Sequence, residues 1–431
     1  MRNREYFKGK KITILGLARS GLACANLLAD LGSDVSVSDS ADNPLTKGNA
    51  AKLNSRRIKF ELGSHSRPFI EGRDLVVVSP GIADSAQPLI WAKEMGIKQI
   101  SEIEVASILC PGCIIAVTGT NGKTTVTTLI GKVLEAAGKK VFVCGNIGNP
   151  FCAEVAEISD GDFVCLEVSS FQLEKIETFR PHIAVILNIS RNHLDRYRVM
   201  EDYLKAKKRI FLNQGKDDYA VLNYDDLLIR NLASSSTAKP VYFRQESGLN
   251  PNQSAAATVA SILGINKSIA LAVFKDFKGI EHRMEKFAQA GGVDFINDSK
   301  ATTVEAAIWA LKNISAPVIL IAGGREKGND YGPIKGLIRE KVKMLVLIGE
   351  SKDKIKNALS AVTAVCEASG MQDAVNKAFA SSVKGEHILF SPMCKSFDMF
   401  VDYEDRGRKF KEAVSRLISD NSNCIGKKND A

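Results

Sequence analysis

Residues 113–128 read CIIAVTGTNGKTTVTT: a short apolar run, a glycine-containing loop, then a lysine and paired threonines. That order suits phosphate binding. Backbone amides at a helix start face an anion, Lys123 adds a cation, and Thr124 or Thr125 offers a hydroxyl to magnesium. The loop itself consists of Gly119, Thr120, Asn121 and Gly122. The standard spacing places its first glycine at position 117, which is valine here, so the loop is a variant. An ordinary glycine turn accounts for Gly119 alone, but not for the whole strand, loop and Lys-Thr-Thr context.

Further polar residues follow the apolar runs downstream. Asn146 stands in GNIG, Glu167 ends DFVCLE, and His193 and Asp195 lie in NISRNHLDRY. In an open α/β sheet ligands gather at the carboxyl ends of strands, which draws these side chains towards one crevice with Lys123. Magnesium takes oxygen ligands, so Glu167 is a better candidate than any cysteine. Singly, each also reads as a cap or a hydrogen-bonded core group. Lys207 is different: in EDYLKAKKRIFL its neighbours three and four positions away are Tyr203, Leu204, Ile210 and Phe211. All are apolar, which turns the lysine inward. Spacing alone leaves two fates open, with snorkelling favoured over a deprotonated amine able to react with carbon dioxide.

The elements that position these groups alternate strand and helix throughout. KKITIL, a helix from Ser20 to about Leu31, DVSVSD and DLVVVSPGI open a dinucleotide-type fold. Gly16 and Gly21 are in place, but Ala18 replaces the middle glycine, which disfavours a nicotinamide cofactor. Asp39 ends the second strand where a ribose-binding acid would sit, and Arg19 lies in the turn where it could meet a phosphate. KKVFVC, DFVCLEV, PHIAVILNIS, YAVLN and PVYFR continue the pattern after the phosphate loop. From GIEHRMEKF onward it resumes with VDFINDS, a helix from about Thr303, PVILIAGG, MLVLIG, TAVCEA and HILFSP. Asp298, Ser299, Lys300, Arg325, Lys327, Ser391 and Ser396 cluster after these strands as a second wall. Thr302 with Glu305 makes a capping box. NSNCIGKKNDA reads as a mobile tail.

Bulk properties bound the rest. At 431 residues, 45% hydrophobic and 25% charged, the chain has room for about three domains. No apolar run reaches the roughly 18 residues of a membrane span, and the charged MRNREYFKGKK is no signal sequence, so a cytoplasmic protein is expected. Nine cysteines lie mostly in apolar runs, as reduced core thiols do. Cys110 and Cys113 form a lone CxxC without a second pair to complete a zinc site. The net charge of +9 is spread without a nucleic-acid reader motif, so anionic small molecules explain it and no nucleic acid is expected.

These motifs together resemble the Mur ligase family over nearly the whole chain. TGTNGKTT is shared with folylpolyglutamate synthases, whereas NDSKAT at 297–302, EHR at 281–283 and SPMCKSFDMF at 391–400 are similar to the D-glutamate-adding branch. The resemblance implies three α/β domains: an N-terminal Rossmann-like domain (1–97) for a UDP substrate, a central P-loop ATPase (98–279), and a C-terminal Rossmann-like domain (280–431). It implies ATP-driven amide formation in peptidoglycan precursor synthesis, joining D-glutamate to UDP-N-acetylmuramoyl-L-alanine through an acyl phosphate, with a monomer expected. Phosphoryl transfer of this kind needs positioning and charge neutralisation rather than a nucleophilic side chain.

Carried over by motif, Lys123 holds ATP phosphates, Thr124 and Glu167 a first magnesium, and His193 with a carbamylated (N6-carboxylated) Lys207 a second. Asn146 and Ser169 contact the muramoyl substrate. Leu17, Ala18, Arg19, Asp39, Ser40 and Gly81 form the UDP pocket. Arg283 and Asp298 serve ATP, and Lys300 faces the reacting centre. Thr302, Lys327, Ser396, Phe397 and Tyr403 receive D-glutamate. Of the adenine-binding HNxxN of many relatives only Asn252 is kept, and Phe397 and Tyr403 stand where relatives often have leucine and phenylalanine. A ligase adding another amino acid and a P-loop switch or kinase are the competing readings; the switch leaves NDSKAT and the Lys207 helix unexplained.

Overall fold

The computed structural model describes residues 1–190, 197, 199–315, 317–326 and 328–426, with side chains to residue 420. Its strands form three sheets. The first contains β1 (Lys11–Leu15), β2 (Asp34–Asp39), β3 (Lys59–Leu62), β4 (Leu75–Val78) and β5 (Lys98–Ser101), all parallel, in the order β3-β2-β1-β4-β5. β4 is LVVV and wholly buried, because helices cover both faces of a parallel sheet. The expected boundary at 97/98 falls just before β5, which pairs with β4 and therefore belongs to this first sheet.

The second sheet contains β6 (Cys113–Thr118), β7 (Val141–Gly145), β8 (Phe163–Glu167), β9 (Ile183–Ile186), β10 (Tyr219–Asn223) and β11 (Lys239–Phe243). These strands are also parallel, in the order β11-β10-β9-β6-β8-β7. After β6 the chain goes to one side for β7 and β8 and to the other for β9 to β11. The carboxyl end of β6, flanked by β8 and β9, is thus the switch point where an open α/β sheet leaves a crevice.

Helix Glu102–Leu109 links these two sheets, and one apolar core continues from the first into the second. Its acidic side chains face inward. Glu104 accepts from the amides of Glu177, Thr178 and Phe179 at 3.0, 2.6 and 2.9 Å. Glu102 Oε1 accepts from the Cys152 amide at 2.6 Å, while its buried Oε2 has no hydrogen-bond partner among the described residues. Burial pushes the Glu102 carboxyl up to about 7 against the pull of the Cys152 hydrogen bonds.

Residues Met1–Phe277 form one compact unit and Lys278–Ala431 a second. The second unit holds β12 (Glu285–Ala290), β13 (Val293–Asn297), β14 (Val318–Gly323), β15 (Val342–Ile348), β16 (Ala364–Glu367) and β17 (His387–Phe390). Their order is β12-β13-β17-β14-β15-β16, parallel except for the antiparallel edge strand β12. Two expectations are corrected in this unit. Helix Val304–Lys312 is capped by Thr303, whose hydroxyl accepts from the Ala306 amide at 3.2 Å, and not by Thr302. The expected tail begins inside helix Tyr403–Gly426. That helix buries Phe410, Ala413 and Val414 along one side.

The cysteines up to residue 420 are free thiols, and Cys24, Cys110, Cys144, Cys152, Cys165 and Cys394 are buried. Among the described residues, no helix is long and apolar enough to cross a membrane.

Candidate active site

Buried β6 ends at Thr118, and the loop that follows needs glycine twice. Gly119 and Gly122 have φ of +155° and +82°. A Cβ on Gly122 would lie 2.5 Å from Asn252 Oδ1, so helix Pro251–Ile262 packs its one motif asparagine against the loop. Asn188, just beyond β9, clamps the other side: its Oδ1 accepts from the Asn121 amide at 2.8 Å and its Nδ2 donates to Asn121 O at 3.0 Å. The Thr120 hydroxyl accepts from the Ser190 amide at 3.0 Å. Helix Lys123–Ala136 then begins with Gly122 as its cap, a residue without a side chain to cap it, and presents a positive helix end to an anion. Lys123 Nζ folds back onto Gly119 O and Thr120 O at 3.0 and 2.9 Å, and Thr124 is buried behind it.

Lys207 arrives from helix Met200–Lys208 and is 1% exposed. Spacing alone favoured snorkelling; burial by Tyr203 and its neighbours overrides it. Nζ donates to Gly119 O at 2.9 Å and Thr118 Oγ1 at 3.2 Å and lies 4.7 Å from the centre of the Tyr203 ring. Burial first and the Lys123 cation second drive its pKa well below the usual lysine range, with the Glu167 carboxylate opposing them. Glu167, also 1% exposed, ends β8. Its Oε1 accepts from Asn146 Nδ2 at 2.7 Å, and its buried Oε2 has no hydrogen-bond partner among the described residues. A buried carboxylate oxygen without a donor, close to a threonine-bearing phosphate loop, is a fitting place for a hard cation such as magnesium. His193 and Asp195 lie outside the described residues, as does Lys327.

In the first sheet the turn after β1 is built on two glycines. Gly16 has φ of +90°, and a Cβ on Gly21 would lie 1.9 Å from Gly16 O. Asp39 at the end of β2 accepts from the Leu17 amide at 2.6 Å and the Ala41 amide at 2.8 Å, drawing the two expected pocket loops together. Ala18, Arg19, Ser40 and Gly81 are exposed at this edge. The Ser169 hydroxyl is engaged in capping helix Ser170–Leu173, with Gln172 as partner.

The second unit gathers its polar groups after β13. Asp298 accepts from the Ser391 hydroxyl at 2.9 Å and the Met284 amide at 3.2 Å, yet burial still raises its carboxyl to about 7. Arg283 is flanked by His282 and Met284 at φ of +64° and +46°, a strained conformation for residues with side chains. The loop is held by Lys300 N on His282 O at 3.1 Å and by Asn297 Nδ2 on His282 Nδ1 at 2.9 Å. Lys300 Nζ lies 5.5 Å from the centre of the Tyr403 ring, and the Tyr403 hydroxyl donates to Glu404 Oε1 at 2.9 Å. Ser396 is buried, Phe397 is half exposed, and the Thr302 amide closes a turn on Lys300 O at 2.9 Å. Sequence reasoning missed Arg406, which is fully buried and ties Ser299 to Cys394 O through bonds of 2.8 to 3.0 Å. Burial lowers its guanidinium to about 10.

Comparison with known proteins agrees with this layout. Residues 10–101 match the Mur ligase MurD-like N-terminal domain, 117–278 the Mur ligase middle domain, and 282–394 the Mur ligase glutamate ligase domain. The UDP-N-acetylmuramoylalanine--D-glutamate ligase of Geotalea daltonii is 40% identical, covering 95% of this chain and 98% of its own length. The chain belongs to the Mur ligase family. Relatives of the same name from Geotalea uraniireducens and Thermoanaerobacter pseudethanolicus are 41% and 37% identical, again covering 95% of this chain, and 98% and 99% of theirs. Among solved Mur ligases, MurC of Thermotoga maritima superposes with a TM-score of 0.60 at 18% identity, over 95% of this chain and all of that one. MurF of the same organism gives 0.59 at 13% identity over 98% of each chain. At these identities the two structures attest the Mur ligase fold.

Within the family's layout, the first unit brings Lys123, Glu167, Asn146, Asn252 and Lys207 to one loop, and Leu17 to Asp39 at another. The second unit brings Arg283, Asp298, Lys300 and Tyr403 together. Asn188 and Arg406 are additions that no motif flagged.

Proposed function

We propose that the chain joins D-glutamate to UDP-N-acetylmuramoyl-L-alanine at the expense of ATP, as a cytoplasmic monomer in peptidoglycan precursor synthesis. The observation that carries this reading is similarity along nearly the full length to ligases of that name. The burial of Lys207 and Glu167 beside the phosphate loop supports it. The γ-phosphoryl group passes to the substrate carboxylate, giving an acyl phosphate and ADP. The amine of D-glutamate attacks that carbonyl, loses a proton, and phosphate departs as the amide forms.

In this reading Lys123 leaves the loop carbonyls for the β and γ phosphates, assisted by the amides of residues 119 to 125. Thr124 and Glu167, with His193, would hold magnesium, which supplies neutralisation of phosphate charge. Its lowered pKa suits the Lys207 amine, in its neutral form, to attack carbon dioxide, giving up one of its two N–H protons to become an anionic carbamate. That replaces a basic nitrogen with an anionic oxygen donor beside Glu167. Asn146 and Ser169 are assigned to the muramoyl portion, and Leu17, Ala18, Arg19, Asp39, Ser40 and Gly81 to UDP. Arg283, Asp298 and Asn252 are assigned to ATP, and Lys300 to the reacting centre. Thr302, Lys327, Ser396, Phe397 and Tyr403 are assigned to D-glutamate. The partition into three domains is kept as part of the proposal, with its first boundary moved beyond β5.

The test is phosphate release from ATP and magnesium with UDP-N-acetylmuramoyl-L-alanine, across D- and L-amino acids and a blank, with product masses recorded. Turnover and an adduct with D-glutamate alone are expected. Turnover with a different amino acid would change the acceptor, and turnover indifferent to both substrates would replace the ligase with a nucleotide switch.

A further inference from the structure

At the amino ends of the second sheet, away from the phosphate loop, lies a cavity of about 540 Å³ lined by Arg2, Tyr6, Cys113, Arg180, His182 and Asp218 among others. This volume is within the range of small-molecule sites. Cys113 opens β6, whereas Gly119 follows its other end, so the cavity and the loop are separated by about the 17 Å that such a strand spans.

Asp218 pairs with Arg180 in this cavity, and Arg2 brings a second guanidinium to the same lining. Asp218 is buried and accepts from Arg180 Nε at 2.7 Å, from His182 Nδ1 at 3.2 Å and from the Gly215 amide at 2.8 Å. One carboxylate thereby orients both the Arg180 guanidinium and the His182 ring. Arg180 is held through Nε, and its two terminal nitrogens have no hydrogen-bond partner among the described residues. The Arg2 guanidinium likewise has none there, although its backbone amide is fixed to Leu109 O at 2.8 Å. Two guanidinium edges over a cavity with an aromatic and aliphatic wall match a doubly charged tetrahedral anion with an organic body.

We propose that this cavity is a second anion site, separate from the nucleotide and UDP pockets, that takes an organic phosphate monoester between Arg2 and Arg180. An occupant would fasten the amino-terminal turn, which carries Arg2 and Tyr6, to the segment entering β9.

The test is calorimetric titration of the full chain with phenyl phosphate and, separately, inorganic phosphate, with a non-hydrolysable ATP analogue, magnesium and UDP present in saturating amounts. Phenyl phosphate is expected to bind at one site, more tightly than inorganic phosphate, and Arg2→Ala and Arg180→Ala each to weaken it about tenfold or more. Arg180→Lys should recover part of the loss, since it keeps the charge and gives up the fork. Arg2→Ala removes a side chain without a partner, so its result stands even where Arg180→Ala disturbs Asp218 and the fold. No saturable binding, affinity unchanged in Arg2→Ala, or binding abolished by the nucleotides would overturn the proposal. The readout is binding alone and so is independent of which amino acid the chain ligates.

Discussion

Lys207 and Lys123 donate to the same carbonyl oxygen, that of Gly119, and two full positive charges cannot share it cheaply. Burial and the Lys123 cation both disfavour the charged form of Lys207, which is the direction the proposed carbamate requires. Lys207→Ala is expected to lower ligation about 100-fold or more with an unchanged circular dichroism spectrum, and a short carboxylic acid should restore part of it. Full activity in the variant would remove Lys207 from the site. Glu102 makes a different prediction. Its folded pKa of about 7 exceeds the unfolded value, so between roughly pH 4.5 and 7 the folded state holds the proton more tightly and stability falls as pH rises. The loss is at most about 3 kcal/mol and is complete above that window. Glu102→Gln should flatten this slope in denaturant titrations and be the more stable protein at pH 8. The inward turn of Lys207 was legible because four apolar neighbours at helical spacing leave it no other side. Asn188 and Arg406 were not. An asparagine after a strand and an arginine in an amphipathic helix are ordinary in sequence, and only the fold shows that one clamps a loop and the other is wholly enclosed.

At the scale of elements, the parallel strands were readable wherever helices cover both faces, as in LVVV or CIIAVT. The strands left unassigned lie at sheet edges: β3, β5 and β12. KFEL, KQIS and EKFAQA alternate or mix polar with apolar residues because they are only partly enclosed, and their strand character comes from pairing rather than from composition. Caps are decided at the same scale. Thr302 and Thr303 are adjacent and chemically identical, so sequence does not separate them as caps, and the backbone geometry selects Thr303. Thr303→Ala should therefore cost about 1 kcal/mol in chemical denaturation. Thr302→Ala should cost markedly less and appear instead in the apparent affinity for D-glutamate. Equal losses of stability would contradict the assignment of the cap.

For the whole molecule, the division into Met1–Phe277 and Lys278–Ala431 follows from separate interiors. The apolar cores of the first unit draw only on residues before 278, and those of the second only on later ones. Calorimetric unfolding is thus expected to show two resolvable transitions, and an ATP analogue should raise the one belonging to the first unit more. A single transition unaffected by nucleotide would count against independent units. The three-part plan was legible from the repeated strand and helix alternation, while the shared core of the first two sheets was not. It depends on contacts between α-helical faces that no local pattern specifies.

The buried thiols give this architecture its own chemical clock. Cys165 lies in the centre of the first unit, Cys394 in the second, and neither is bonded to another sulfur. A thiol-reactive reagent reaches either one only when the surrounding unit opens, so labelling followed by peptide mass analysis times each opening separately in the intact chain. Nucleotide should slow the modification of Cys165 more than that of Cys394, and equal slowing would mean that the two interiors open as one.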